Sequence, residues 1–302
     1  MSTGIILAEL SEVRYPGAAD PNDNKQGRDM QTELLPGVRE RVPQAEKAGP
    51  VEQEHPGVQS PDRGAISRDT LFNGRLVCRQ HRHGYRFSVD AVLLAHFVRP
   101  AARVLDLCAG CGVIGLIMLF RTPEIEVTAV ELQAALARLI RDNARENGYA
   151  KRLTVYQLDA VDLHKTLAPE SFDLVVCNPP FRSASSGRIS HGSEAALARH
   201  EITAGIVDFT RAAAFAVKNR GRVAMIYPAN RFAVLVEALA KWQLIVKRVR
   251  PVYSYPQSDT AVLVLVEAVK NGGSGLHFLE PLFLHTCSDG PYTDEVITMY
   301  EG

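Results

Sequence analysis

No apolar run in this 302-residue chain approaches the roughly 18 residues of a membrane-spanning helix; the longest, Val113 to Phe120, has eight. The N-terminus lacks a charged segment leading into a long apolar stretch, so no secretory signal is expected. Cysteine is scarce. Five, an odd number, speaks against a disulfide scaffold and for a reducing cytoplasm. Net charge is missing too: 34 Lys and Arg balance 34 Asp and Glu, which excludes a highly basic chromatin-type binder and an acidic tail protein. The chain contains no internal repeat.

What is present is ordinary for a soluble globular protein, with 46% apolar and 23% charged residues. The length suits one large domain or two small ones, and a chain of this size buries about 75% of its unfolded surface. Charge is unevenly distributed. The first 70 residues carry 8 Lys or Arg and 12 Asp or Glu, leaving 26 and 22 for the rest, so an acidic leader precedes a mildly basic body. Residues 11 to 66 hold seven prolines and a single aromatic, Tyr15. Such a segment cannot bury enough apolar surface to offset its ordering entropy and reads as disordered. The expected organisation is a proline-rich extension over residues 1–70 and one domain over 71–302.

Within that domain, Arg75 to Ser88 reads as two short strands around a turn at His83-Gly84, followed by an apolar helix over residues 89–98. Strands are expected at 103–107, 125–131, 153–158, 172–177 and 222–227, with helices at 113–121, 132–147, 207–219 and 232–242 between them. Two further strand-like runs, 243–254 and 260–268, are joined by five residues, a link that forces an antiparallel pair. The pattern predicts an α/β, Rossmann-like, doubly wound fold. It has a seven-stranded, mostly parallel sheet closed by a C-terminal antiparallel hairpin, and a small N-terminal β-hairpin and helix.

The strand at 103–107 runs into DLCAGCGVIG, Asp106 to Gly115. Gly110, Gly112 and Gly115 match a G-x-G-x-x-G turn between a strand and a helix, where missing Cβ atoms let a ligand approach the backbone. Glu131 ends the next strand about 20 residues on, placed to accept from ribose hydroxyls. These features point to a bound nucleoside, in either a dinucleotide or S-adenosylmethionine. Asp106 favours the latter: a carboxylate at the strand end repels a pyrophosphate and suits a cationic amine. Asp159, after the third strand, is placed for an adenine amine, with loop capping as the alternative. Cys108 and Cys111 have C-x-x-C spacing, but Cys78, Cys177 and Cys287 are scattered, so no metal site is expected.

The strand at 172–177 ends in Asn178-Pro179-Pro180-Phe181. The prolines remove two N–H donors and leave an acceptor-rich rim, the Asn178 side-chain oxygen and nearby carbonyls, suited to a planar amine that donates two hydrogens. Phe181 can stack on the base carrying that amine. With an electrophilic methyl opposite, transfer needs mainly positioning.

DLCAGCGVIG, Glu131, Asp159 and NPPF resemble the class I S-adenosylmethionine-dependent methyltransferases of amino and amide nitrogens. Gly74 to Phe97, and the C-terminal stretch from Pro281, resemble the bacterial tRNA adenine-N6 methyltransferases acting on valine tRNA next to the anticodon. The resemblance covers roughly residues 70 to 302, and the proline-rich extension departs from it. It implies that Phe87, Ser88 and Asp90 line the methionine end of the donor, and that Asp106, Gly110 and Gly112 form its floor. It further implies Glu131 on the ribose, Asp159 on the adenine, Asn178 and the Pro179 carbonyl on the target amine, and Phe181 on the target base. Phe181 in place of the tyrosine of many adenine enzymes also matches guanine-N2 enzymes.

For the RNA surface, Arg79, Arg82 and Arg86 stand near the entrance with Arg75, His81, His83 and Tyr85, while Arg182 and Arg199 follow NPPF. Lys247, Arg248 and Arg250 lie on the hairpin. Phosphate contacts of this kind supply most sequence-independent affinity. Residues 183–193, rich in glycine and serine, read as a mobile loop. The expectation is a cytoplasmic methyltransferase acting on the N6 amine of an adenine in tRNA. A guanine N2 amine of rRNA, or a protein glutamine amide, suits the same rim. A dinucleotide-dependent oxidoreductase would use the glycines but give Asn178 no role, and a non-catalytic RNA-binding module would keep the fold alone.

Overall fold

The computed structural model describes residues 66–82, 86–180 and 205–302. The expected disorder of 11–66 and the loop at 183–193 therefore lie almost wholly outside the described residues. Ile66 is the exception, since it opens strand β1.

Strands β1 (Ile66–Leu71) and β2 (Leu76–His81) form an antiparallel hairpin, so strand structure begins ahead of the boundary set at residue 70. The turn joining these two strands lies at Phe72–Arg75, where Phe72, Asn73 and Gly74 all have positive φ, while the turn expected at His83-Gly84 falls outside the described residues. Asn-Gly is the stronger turn signal because both residues tolerate the left-handed region that tight hairpins need.

The main sheet takes β3 (Arg103–Leu107), β4 (Glu126–Glu131), β5 (Leu153–Gln157), β6 (Phe172–Cys177) and β7 (Val217–Pro228). It continues through β8 (Leu244–Tyr253) and β9 (Ala261–Lys270). Two two-residue strands, β10 (His277–Phe278) and β11 (Leu282–Phe283), pair in parallel with β8, so the sheet counts nine strands against the seven expected. The order is β10-β8-β9-β7-β6-β3-β4-β5 with β11 also on β8. Neighbours from β5 to β7 are parallel, while β9 is antiparallel to both β7 and β8. Strand β7 begins five residues earlier than expected. The Ile206–Ala216 helix stops at Val217, and the β6–β7 register shifts between Phe172 and Leu174, with Arg220 at φ 64.

Alternation along each strand sorts residues to the two faces. Leu105, Leu107, Val175, Cys177, Val223 and Met225 bury against Phe209, Ala212 and Ala213 of the Ile206–Ala216 helix and Leu235 of the Phe232–Ala240 helix. Val104 and Asp106 take the opposite face of β3, beneath the Val113–Arg121 helix. The chain winds from β3 outward to β4 and β5, then returns to β6 on the other side of β3. That reversal puts a crevice beyond the carboxyl ends of β3 and β6, the position where open α/β sheets bind ligands.

Candidate active site

The turn after β3 is fixed largely by packing. Gly110 and Gly112 have φ of 60° and 84°, a region closed to most side chains. A Cβ on Gly112 would lie 2.9 Å from Ile140 Cγ2, and one on Gly115 would lie 3.0 Å from Val127 Cγ1 and 3.3 Å from Asp106 Oδ2. These two glycines let the turn and helix settle onto the Ala134–Glu146 helix and β4, a packing requirement beside the ligand approach expected of them. Cys108 also takes a left-handed conformation, at φ 62.

Glu131 closes this turn from the neighbouring strand. Its Oε2 accepts from Gly110 N–H at 2.8 Å and its Oε1 from Gln133 N–H at 2.9 Å. Each oxygen keeps lone-pair capacity for a further donor. Burial pushes its carboxyl up to about 7, against the pull of the Gln133 and Gly110 N–H groups, with the Asp106 charge adding to the rise. Asp106 lies under the turn, fully buried. Its Oδ2 accepts from Gly115 N–H at 3.1 Å, while Oδ1 is buried with no hydrogen-bond partner among the described residues. Burial raises it to about 7, opposed by the Gly115 N–H.

Asp159 caps the 3-10 turn Ala160–Lys165, its side chain accepting from Val161 N–H at 3.0 Å. The capping role weighed from the sequence is therefore present, and Oδ1 carries it. Phe87 is buried and donates its backbone N–H to Gln80 Oε1 at 2.9 Å. Ser88 stands extended at the N-cap of the Val89–Phe97 helix without a capping bond from its hydroxyl. Asp90 is buried in that helix's first turn, where its charge helps burial to raise the phenols of Tyr292 and Tyr300.

Asn178 is half-buried at the end of β6, and Pro179 is buried behind it. In the β3–β6 ladder Leu107 faces Cys177, so Asn178 leaves its strand level with Cys108, the first residue of the glycine turn. Phe181, Arg182 and Arg199 lie outside the described residues. The hairpin arginines are engaged with the protein. Arg79 Nε pairs with Glu146 at 2.5 Å, and Arg86 contacts Ser67 Oγ at 2.9 Å and Asp69 at 3.2 Å. Arg82 Nε donates to the Ile66 carbonyl, at 3.4 Å. Arg248 and Arg250 pair with Glu267 and Glu295, and Lys247 bonds the Gly273 and Ser274 carbonyls.

The Methyltransferase small domain family model matches residues 88–199. A tRNA1(Val) (adenine(37)-N6)-methyltransferase of Pasteurella multocida is 32% identical over 163 residues, 53% of this chain and 68% of the relative. The chain belongs to this methyltransferase family. A relative of the same description from Porphyromonas gingivalis is 27% identical over 225 residues, 72% of this chain and 87% of its own. Among solved structures, a predicted O-methyltransferase from Agrobacterium tumefaciens superposes with a TM-score of 0.56 and 24% identity, over 70% of this chain and 95% of that one. That likeness concerns the fold.

For a member of this methyltransferase family the donor is S-adenosylmethionine, and the turn fits it. Asp106 Oδ1 is a buried acceptor without a partner among the described residues, matched in sign to a cationic amine or to a water held by one. Glu131 can accept two hydroxyls while keeping its backbone bonds. The oxidoreductase alternative falls with family membership.

The sequence reading missed two buried amides behind the site and a third, half-buried one beside them. Asn143 and Gln80 are almost wholly inaccessible, and Asn147 follows Asn143 by one helical turn. Their signal was available: two asparagines at i, i+4 beside the apolar stripe of Leu136, Leu139 and Ile140. The structure also brings Cys111 to Cys78, Sγ to Sγ at 3.7 Å.

Proposed function

We propose that this chain transfers a methyl group to the N6 amine of an adenine in tRNA, in the cytoplasm. The relatives' description as tRNA adenine-N6 methyltransferases supports the substrate. The observation that supports the chemistry is the pairing of Leu107 with Cys177 on adjacent strands, from which the glycine turn and Asn178 both continue.

Bound S-adenosylmethionine supplies an electrophilic methyl on a cationic sulfur. Glu131 holds the ribose hydroxyls, Asp106 the cationic amine, and Asp159 the adenine of the donor through the oxygen its cap leaves over. The Asn178 side-chain oxygen and the Pro179 carbonyl accept the two hydrogens of the target amine. Holding both hydrogens draws the nitrogen lone pair out of the ring plane and toward the methyl. Pro179 and Pro180 have no N–H, so the rim offers no competing backbone donor at those positions. No residue needs to act as a strong base before attack, because the amine proton becomes acidic only once the nitrogen is cationic; it would then pass to water, with the carbon–sulfur bonding pair left on the donor's sulfur. Phe181 supports the base by stacking, and the adenine leaves its own stack to enter the crevice. Asn178→Ala should abolish turnover and leave donor affinity within about twofold by calorimetry; a parallel loss of donor binding would refute its assignment to the amine.

A further inference from the structure

We infer that Asn143 is a positioning residue for the methyl donor, acting through the β1–β2 hairpin, an inference that rests on the donor-site reading above. Asn143 sits inside the Ala134–Glu146 helix at 0% exposure. A buried amide is costly unless bonded, and this one is bonded to two separate elements. Its Oδ1 accepts from Arg79 N–H at 2.7 Å, and its Nδ2 donates to the Arg79 carbonyl at 3.0 Å and to the Cys111 carbonyl at 3.0 Å. One side chain thereby ties β2 to the glycine turn.

Asn147 repeats half of the arrangement. Its Oδ1 accepts from Val77 N–H at 2.8 Å and its Nδ2 donates to the Val77 carbonyl at 2.7 Å. Four residues of helix rise about 6 Å and two residues of strand about 6.6 Å, so the two asparagines meet Val77 and Arg79 in step. They serve the outer edge of β2 as a neighbouring strand would. Asn147 makes no bond to the glycine turn; its remaining donor contact is the Asn143 carbonyl, at 2.7 Å.

The next residue on β2 completes the link. Gln80 Oε1 holds Phe87 N–H at 2.9 Å, and its Nε2 donates to Asp69. Consecutive residues Arg79 and Gln80 thus fix the turn on one side of the donor and the Phe87–Ser88 segment on the other. Cys78 and Cys111 fill the space between, both buried. The spacing of floor and wall across the donor is set by Asn143 and Gln80, neither of which is assigned a contact with the donor itself.

The test compares Asn143→Ser with Asn147→Ser in the full chain, by calorimetric binding of S-adenosylmethionine and by thermal unfolding without it. Both variants lose bonds to β2, so both should lower the unfolding midpoint. Only Asn143→Ser should weaken donor binding, by about tenfold or more, with tRNA affinity measured without donor unchanged. Gln80→Ala should reproduce the binding loss by the other route. Donor affinity of Asn143→Ser within twofold of wild type, or equal losses in the two asparagine variants, would overturn the inference. Wild-type protein that binds no S-adenosylmethionine would instead overturn the donor reading on which it rests.

Discussion

Asp106 and Glu131 lie under the same turn, and both are moved by burial from ordinary values of 3.8 and 4.5 to about 7. A raised carboxyl keeps its proton in the folded state over a range where the unfolded chain has already lost it. These two groups therefore contribute stability to the ligand-free protein at acid pH that is lost as pH rises from about 4.5 through 7. Donor binding has the opposite sign, because a cationic amine and sulfonium favour the ionised carboxylates. The affinity for S-adenosylmethionine should rise several-fold between about pH 6 and pH 8, and Asp106→Asn should flatten that rise. A pH-independent dissociation constant in the wild-type protein would show that neither carboxyl titrates on binding. Glu131→Ala removes the acceptor of Gly110 N–H and Gln133 N–H as well as the ribose contact. It should raise the donor dissociation constant by about tenfold or more, and Glu131→Gln by less; unchanged affinity would remove Glu131 from the site.

At the scale of elements, one carboxylate holds several pieces together. Glu267 on β9 is fully buried and meets Arg99 at 2.8 Å, Arg248 at 3.3 Å and Arg222 at 3.5 Å. The three arginines come from the chain after the Val89–Phe97 helix, from β8 and from β7. Breaking a buried pair from one side is strongly unfavourable, so Glu267→Ala should lower unfolding stability by on the order of 3 kcal/mol. Glu267 lies four residues along β9 from Leu263, which faces Pro228 at the crevice end of β7, so donor affinity should be retained. Denaturant unfolding that matched wild type would contradict this. The same scale shows what the sequence made legible. Elements built on strong local patterns, such as Arg103–Leu107, Val113–Arg121 and Phe172–Cys177, were read to the residue. The hairpin was displaced because Ile66–Thr70 is polar and alternates weakly, which hid the Asn73-Gly74 turn behind the proline-rich extension. The two-residue strands β10 and β11 are too short for any periodicity to mark them.

For the whole molecule, the winding reversal at β3 brings the glycine turn and Asn178 to one crevice, and that much follows from the order of motifs along the chain. The buried amides did not follow. Asn143 and Gln80 act on partners 32 and 7 residues away in sequence, and only the packed hairpin shows which backbone groups need them. The arginines chosen for an RNA surface were legible as a cluster, but their ion pairs with Glu146 and Asp69 were not. The most direct test of the account is transfer of labelled methyl from S-adenosylmethionine to unmodified bulk tRNA, followed by nucleoside analysis. The account predicts N6-methyladenosine as the labelled product, lost in Asn178→Ala. Label absent from tRNA and found in rRNA or protein would contradict it.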